Sequence, residues 1–107
     1  MVAQIDDKAG FDAQLKDAGG KLVVVDFTAT WCGPCQRIGP KFVEMAGKYP
    51  NCVFIKVDVD KNEETAAACQ IKCMPTFQFY VNGQKVDEMS GADAAQLEAK
   101  VEGNIPK

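Results

Sequence analysis

Residues 31–35, Trp-Cys-Gly-Pro-Cys, stand between two segments with different patterns. Before them, Lys21–Phe27 is apolar at nearly every position, which predicts a buried strand, and after them Gln36–Tyr49 is predicted to be a helix. The two cysteines therefore lie at a strand-to-helix turn, on the first turn of the helix. Since residues three apart on a helix share a face, the sulfur atoms of Cys32 and Cys35 come within disulfide reach.

The start of a helix carries partial positive charge and unpaired N–H groups, which favour a thiolate over a thiol. We therefore expect a lowered pKa for Cys32, which would be the nucleophile, and a resolving role for Cys35. Two residues between them tune the pair: Pro34 fits the first helical turn, and Gly33 lets a partner backbone come close. The chain has no histidine to stabilise the reduced form, so the pair is predicted to reduce other disulfides.

Two further features make the pattern specific. Asp26 precedes Cys32 by six residues, and Met74-Pro75-Thr76 follows later in the chain. Together with WCGPC these features resemble the thioredoxin family, over about Val2 to Val101. The resemblance implies an α/β thioredoxin fold as a single domain over residues 1–107. It also implies a central five-stranded mixed sheet of order 1-3-2-4-5, flanked by four helices.

Composition excludes some classes of binding partner and predicts the cellular compartment. The net charge is -3 and no basic cluster occurs, so neither nucleic acid nor an anionic membrane is a predicted partner. Met1–Gly10 lacks the apolar core of a signal peptide, and no apolar run approaches the ~20 residues that span a bilayer. Five cysteines cannot all pair within one chain. Free thiols plus one redox pair predict a reducing, cytoplasmic location.

Asp26 interrupts the apolar strand, where burial should raise the pKa of its carboxyl group. One interpretation is a proton acceptor and donor for Cys35; the other is a strand-end aspartate bonded to nearby backbone. Burial alone does not separate these two, and the thioredoxin resemblance favours the first. Lys56, on the next predicted strand, could approach Asp26 and keep it partly ionised, or it could be a solvated lysine.

A second stretch, at residues 73–76, adjoins the predicted substrate surface. By resemblance, Pro75 is cis and the backbone at Met74 pairs with an extended substrate segment, whereas a trans loop proline is the alternative. Trp31 is the chain's single tryptophan and is predicted to lie exposed beside the reactive sulfur rather than in the core. The predicted substrate-binding residues are Trp31, Met74, Pro75, Thr76, Gly91 and Ala92.

The other cysteines are expected to differ from the pair. Cys52 and Cys69 are predicted to be small buried hydrophobes. Cys73 adjoins the Met74 loop, should lie nearer solvent, and resembles the extra cysteine through which animal thioredoxins are regulated by modification or an intermolecular disulfide. The protein would then be a monomer that can form a Cys73-linked dimer. One departure from many thioredoxins is Gln36-Arg37, which stands where a lysine usually follows the second cysteine directly.

The resemblance implies a protein-disulfide reductase, or dithiol–disulfide electron carrier, that maintains cell redox homeostasis. No bound cofactor or metal is predicted, and the oxidised pair would be reset with NADPH through thioredoxin reductase. Implied substrates are disulfide-containing proteins such as peroxiredoxin, ribonucleotide reductase and methionine sulfoxide reductase. Two alternatives stay open: a disulfide oxidase or isomerase domain, and a binding module held by zinc on Cys32, Cys35, Cys69 and Cys73.

The remaining pattern supplies the other elements of the fold. Asn82-Gly83 predicts a tight hairpin turn, Gly103 is predicted to stop the last helix, and Asp58 and Asp60 are predicted to be solvated turn residues. The other predicted strands are Val2–Ile5, Cys52–Val59, Thr76–Val81 and Lys85–Met89. The other predicted helices follow Asp6 or Asp7, follow Asn62 as Glu63–Gln70, and cover Ala94–Val101.

Overall fold

Strands and helices alternate along most of the chain in the computed structural model, which describes residues 2–107. Met1 lies outside the described residues. Both the predicted domain (residues 1–107) and the N-terminal segment Met1–Gly10 begin with this residue. The strands are β1 (Ala3–Gln4), β2 (Val23–Thr28), β3 (Val53–Asp58), β4 (Thr76–Val81) and β5 (Gln84–Ser90). The helices are α1 (Lys8–Asp17), α2 (Gly33–Lys48), α3 (Glu63–Ala68) and α4 (Ala94–Asn104).

The strands form one mixed sheet of order β1-β3-β2-β4-β5, so the order implied by the resemblance is confirmed. Strand β2 lies in the centre, parallel to β3 on one edge and antiparallel to β4 on the other. This register sets Asp26 beside Lys56 of β3 and Phe77 of β4. Because both edges of β2 are paired and both faces are covered, an apolar side chain is favoured at almost every position of β2.

Two apolar layers cover the sheet, one on each face, because successive side chains of a strand point to opposite faces. Val24 belongs to the layer that includes Phe42 of α2 and Leu97 of α4. Val23 and Val25 belong to the layer on the other face, with Phe11 of α1. Helices therefore pack on both faces of the sheet, as the sequence predicts. None of the helices within residues 2–107 is long and apolar enough to cross a membrane.

Helix starts follow the predicted capping residues. Asp7, rather than Asp6, caps α1 by accepting a 2.7 Å hydrogen bond from the backbone of Gly10. Asn62 caps α3 by accepting a bond from the Thr65 backbone. The Asn82-Gly83 turn has φ values of 54° and 78°, which are the left-handed values that a tight two-residue hairpin requires. These local predictions are confirmed.

The predicted end of the last helix is wrong. Gly103 lies inside α4, which continues to Asn104. The reason is tertiary: the Asn104 side chain donates to the Lys100 carbonyl at 2.8 Å and to Asp87 of β5 at 2.9 Å. These bonds hold the last turn against the sheet and outweigh the low helix propensity of glycine.

Other boundaries move by one to three residues. Strand β1 is limited to Ala3–Gln4, and α2 begins at Gly33 rather than at Gln36. Helix α3 ends at Ala68 rather than at Gln70, because Gln70 has φ 59° and cannot continue a right-handed helix. Pro40 lies inside α2, as the sequence places it.

We expect Val24→Ala to lower the free energy of unfolding by about 2–3 kcal/mol, since two buried carbons are lost and a cavity forms. Val24 is 0% exposed in the central strand. The same substitution at Val86, which is 50% exposed on β5, is the matched control and should change stability by less than about 0.5 kcal/mol. Urea unfolding of both variants measures the difference, and equal losses would contradict this packing.

Candidate active site at the start of helix α2

Cys32 and Cys35 form a disulfide with their Cα atoms 5.3 Å apart, so the predicted reach is confirmed. Cys32 is the residue that caps α2, and its Sγ accepts a 3.2 Å hydrogen bond from the backbone N–H of Cys35. Pro34 stands in the first turn, where no intrahelical bond needs its missing N–H. Both cysteines are buried in a small cluster with Ala29, against which Val59 and Met74 pack.

Asp26 lies within the central strand and is 4% exposed. Its Oδ1 has no hydrogen-bond partner among the described residues, although buried polar atoms are usually paired. Burial raises the pKa of Asp26 to about 7, and the charge of Lys56 on the neighbouring strand lowers that pKa in part. Since Oδ1 is unpartnered, the interpretation of Asp26 as an aspartate tied to nearby backbone fails for this atom. The carboxyl group can instead take up and release a proton near neutral pH.

A cavity of about 190 Å³ connects the acid to the second cysteine. Its lining includes Asp26, Cys35 and Lys56, together with the side chains of Thr28 and Gln36. A space of this size with several polar groups on its wall accommodates water molecules. Asp26 and Cys35 therefore share a space through which a proton can pass.

Trp31 is 67% exposed, so its alternative as a core residue is wrong. Its indole N–H donates a 2.8 Å hydrogen bond to Asp60, which fixes the ring at the surface. Met74 packs against the small cluster that contains both site cysteines. Ala92 is exposed. An exposed indole thus directly precedes Cys32 in the chain, and Met74 contacts the cysteine cluster.

The two acidic residues at the end of β3 are not both solvated. Asp58 is buried, contrary to prediction, and its Oδ1 accepts from the backbone N–H of Asp60 at 2.9 Å. Asp60 is exposed, but it holds Trp31, and sequence reasoning missed this role. One signal was available: the carboxyl ends of the parallel strands β2 and β3 meet at one edge of the sheet. Residues just beyond those two ends are therefore neighbours.

The loop before β4 has the predicted conformation, with a cis peptide bond between Met74 and Pro75. The backbone N–H of Gly91 donates to the Pro75 carbonyl at 3.0 Å, and Gly91 has φ 97°, a value that favours glycine. The Thr76 hydroxyl donates to the carbonyl of Cys73 at 2.5 Å. These bonds connect the loop to the end of β5.

The exposure of the three remaining cysteines agrees only in part with the prediction. Cys73 is exposed, which confirms its predicted position near solvent. Cys52 and Cys69 pack against the two apolar layers, yet they are half-buried rather than fully buried. Burial raises the pKa of both of these thiols, which makes them poorer nucleophiles at neutral pH.

The zinc alternative needs four sulfur atoms to converge on one point. In the part of the chain that the structure describes, no group of three or more cysteine or acidic side chains is placed to hold a metal ion. Two of the four, Cys32 and Cys35, are bonded to each other instead. The structure therefore does not assemble the ligand set on which that alternative depends.

A disulfide at the amino end of a helix, directly after the central strand of a mixed sheet, defines a thiol–disulfide oxidoreductase. Comparison with known proteins agrees with this class. Residues 2–103 match the family model described as Thioredoxin, and the chain belongs to the thioredoxin family. The family acts on disulfide substrates and needs no bound cofactor, so this chain is a protein-disulfide reductase whose Cys32–Cys35 pair is the redox-active centre.

Individual relatives match along almost their whole length. The horse thioredoxin is 57% identical over 105 residues, which cover 98% of this chain and 100% of that protein. The thioredoxin of the sponge Geodia cydonium is 57% identical over 105 residues, covering 97% and 99%. Among solved structures, the X-ray structure of Fasciola hepatica thioredoxin superposes with a TM-score of 0.93 at 40% identity, covering 94% and 97%.

We expect Asp26 to make the stability of the oxidised protein depend on pH. Its pKa rises from 3.8 to about 7 on folding, so its contribution is fully present below pH 3.8 and is lost as pH rises through about 7. Asp26→Asn removes this decline, and the variant should gain up to about 4 kcal/mol over wild type at pH 8. Chemical unfolding between pH 4 and 8 measures the change.

The matched control for this prediction is Asp17→Asn, which alters an exposed carboxylate at the end of α1. It should keep the wild-type dependence on pH. The chain has no histidine to titrate in the same range. Parallel stability profiles for wild type and Asp26→Asn would therefore show that Asp26 does not carry the effect.

Proposed function

We propose that Cys32 is the nucleophile, Cys35 the resolving cysteine and Asp26 the group that exchanges the proton of Cys35. The Cys32 thiolate attacks one sulfur of a substrate disulfide, forms a mixed disulfide and displaces a substrate thiolate. Cys35, once deprotonated, attacks the Cys32 sulfur and releases the second substrate thiol. Two electrons and two protons pass to the substrate, and the Cys32–Cys35 disulfide remains. The observation that carries this proposal is a disulfide at a helix start beside a buried, unpartnered carboxyl group.

The helix start supports the nucleophilic role of Cys32. Its sulfur accepts a hydrogen bond from the Cys35 N–H, and hydrogen bonds to a charged form favour that form. The partial positive charge at the amino end of α2 acts in the same direction. Gly33 and Pro34 tune the pair, because neither adds a charged side chain and Pro34 adds no competing N–H donor.

The cavity between Asp26 and Cys35 supports the proton-transfer role. A general base works best when its pKa is near the operating pH, and the pKa of Asp26 is about 7. Lys56 opposes the effect of burial on that pKa and so keeps part of the population ionised. We therefore assign Lys56 a tuning role rather than that of a purely solvated lysine.

Substrate is proposed to bind on the surface around the disulfide, which we call the docking surface. Exposed Trp31 and Ala92 support this assignment, as does the packing of Met74 against the cysteine cluster. An extended substrate segment would pair with the backbone at Met74. The docking surface consists of Trp31, Met74, Pro75, Thr76, Gly91 and Ala92.

The source of electrons and the cellular setting are proposed from the family. We infer that NADPH supplies electrons through thioredoxin reductase, and that peroxiredoxin, ribonucleotide reductase and methionine sulfoxide reductase are among the substrates. The cytoplasm is the proposed compartment, because free thiols persist in reducing surroundings. Residues 1–107 are proposed to act as one domain, since both apolar layers pack on the same sheet.

In a Cys35→Ser variant, the mixed disulfide should accumulate, because no second sulfur is present to release the substrate. Reduction of insulin disulfides should fall at least about 10³-fold, as expected when a covalent intermediate cannot be resolved. Non-reducing gels and intact-mass spectrometry detect the trapped species, whose mass is the sum of variant and substrate.

Two further variants separate the roles of the sulfur atoms. Cys32→Ser should be inactive, because Cys35 alone should not attack the substrate and form a mixed disulfide. Cys73→Ser removes an exposed thiol outside the pair and should keep wild-type turnover. If Cys35→Ser continued to turn over insulin, the resolving role assigned here would be wrong.

Cys73 is proposed to be a regulatory thiol, through modification or through a disulfide between two otherwise monomeric chains. It is exposed and stands directly before Met74 of the docking surface. Its thiol donates a hydrogen bond to the Ser90 hydroxyl oxygen at 3.4 Å. A bulky group on this sulfur would reach the surface on which substrate is proposed to bind.

In the oxidised protein, iodoacetamide at neutral pH should label Cys73 well before Cys52 or Cys69. The reason is that Cys73 is exposed, whereas burial raises the pKa of the other two thiols. Mass spectrometry of digested protein over a labelling time course measures the order. Equal labelling rates at the three sites would contradict the assignment of Cys73 as the modifiable thiol.

A further inference from the structure

Arg37 lies one helical turn after Gly33 on the same face of α2. Its Nη1 atom is 3.6 Å from the position that a Cβ on Gly33 would occupy, and both residues are exposed. Side chains on a helix lean toward its amino end, which explains why the guanidinium returns over the first turn. The cation therefore lies beside the residue that separates Cys32 from Pro34.

Arg37 has no ion-pair partner among residues 2–107, since none of the acidic side chains described there pairs with its guanidinium. Lys41, one turn further along the same helix, does have such a partner in Glu44, at 3.9 Å. The amino end of α2 is itself partly positive, so the guanidinium reinforces a potential of the same sign.

The side chain that precedes Arg37 on α2 adds no charge of its own. Gln36 is uncharged, and its Nε2 donates to the Ala29 carbonyl at 3.0 Å. Two acidic residues next to docking-surface residues accept hydrogen bonds from neutral donors rather than from Arg37: Asp60 from the indole of Trp31, and Asp93 from the backbone N–H of Gln96. Arg37 thus places a cation on the Gly33 side of the disulfide, and that cation has no ion-pair partner among residues 2–107.

We infer that Arg37 determines substrate specificity, by binding a carboxylate on the substrate segment that carries the disulfide. A guanidinium presents two parallel N–H groups that match a carboxylate, and complementary charges favour the correct partner. The protein then reduces disulfides with a nearby acidic residue faster than equivalent neutral ones. The inference rests on the proposed function and leaves its chemistry unchanged: two protein thiols become the disulfide, and the substrate disulfide becomes two thiols.

The test uses short synthetic peptides, each with one internal disulfide and no tryptophan. There are two sets, one varied at the residue before the first cysteine and one at the residue after it. Within each set the varied residue is Glu, Gln or Lys. Pre-reduced protein is mixed with oxidised peptide, and the fluorescence of Trp31, the single tryptophan, follows oxidation of the protein. The second-order rate constant for each peptide is the measurement.

Wild type should reduce the best-placed Glu peptide about two- to five-fold faster than its Gln counterpart, the range expected for an exposed ion pair. Arg37→Ala should bring this Glu-to-Gln ratio to about one. Arg37→Glu should bring the ratio below one and should make the Lys peptide the fastest of the set. Raising the salt concentration to about 0.5 M should shrink the wild-type ratio, because exposed charges are screened.

Comparing the Glu-to-Gln ratio of wild type with that of Arg37→Ala isolates the contribution of Arg37, since any difference in reactivity between the two peptide disulfides is the same for both proteins. Lys41→Ala removes a cation from the next turn and should keep the wild-type ratio. A wild-type ratio of one at every position, or an unchanged ratio in Arg37→Ala, overturns the inference while reduction itself persists. Failure to reduce any peptide would instead overturn the proposed function, and the inference with it.

Discussion

The site depends on one constraint, which is that strand β2 is paired along both edges and covered on both faces. A carboxyl group in such a strand loses its hydration, which raises the pKa of Asp26 to about 7. The same strand ends just before the turn that carries Cys32 and Cys35. Burial of one strand therefore produces the carboxyl group that we propose exchanges the proton of Cys35, and it also places the two sulfur atoms.

Two opposite electrostatic effects act on neighbouring groups of this site. The amino end of α2 stabilises negative charge at Cys32, whereas the apolar interior destabilises it at Asp26. Lys56 moderates the second effect from the neighbouring strand. In the proposed mechanism this difference is useful, because the attacking sulfur has to be ionised before substrate arrives and the resolving sulfur has to lose its proton afterwards.

The surface around the disulfide combines exposure with fixed geometry. Trp31 is held by Asp60, and the Met74 loop is held through the bond from Gly91 to Pro75. Side chains and loops that are already ordered lose little entropy when a partner binds. Beside Gly33, Arg37 adds a cation that has no ion-pair partner among residues 2–107. The inferred preference for acidic segments would therefore be a property of the surface rather than of the sulfur chemistry.

The sequence by itself determined the features that depend on near neighbours: the strand–turn–helix around WCGPC, the caps at Asp7 and Asn62, and the Asn82-Gly83 hairpin. The thioredoxin resemblance added the strand order and the cis bond at Pro75. Only the tertiary structure decided the burial of Asp58, the bond from Trp31 to Asp60 and the continuation of α4 past Gly103. Each of these depends on contacts between segments far apart in the chain, whose packing outweighs local propensity.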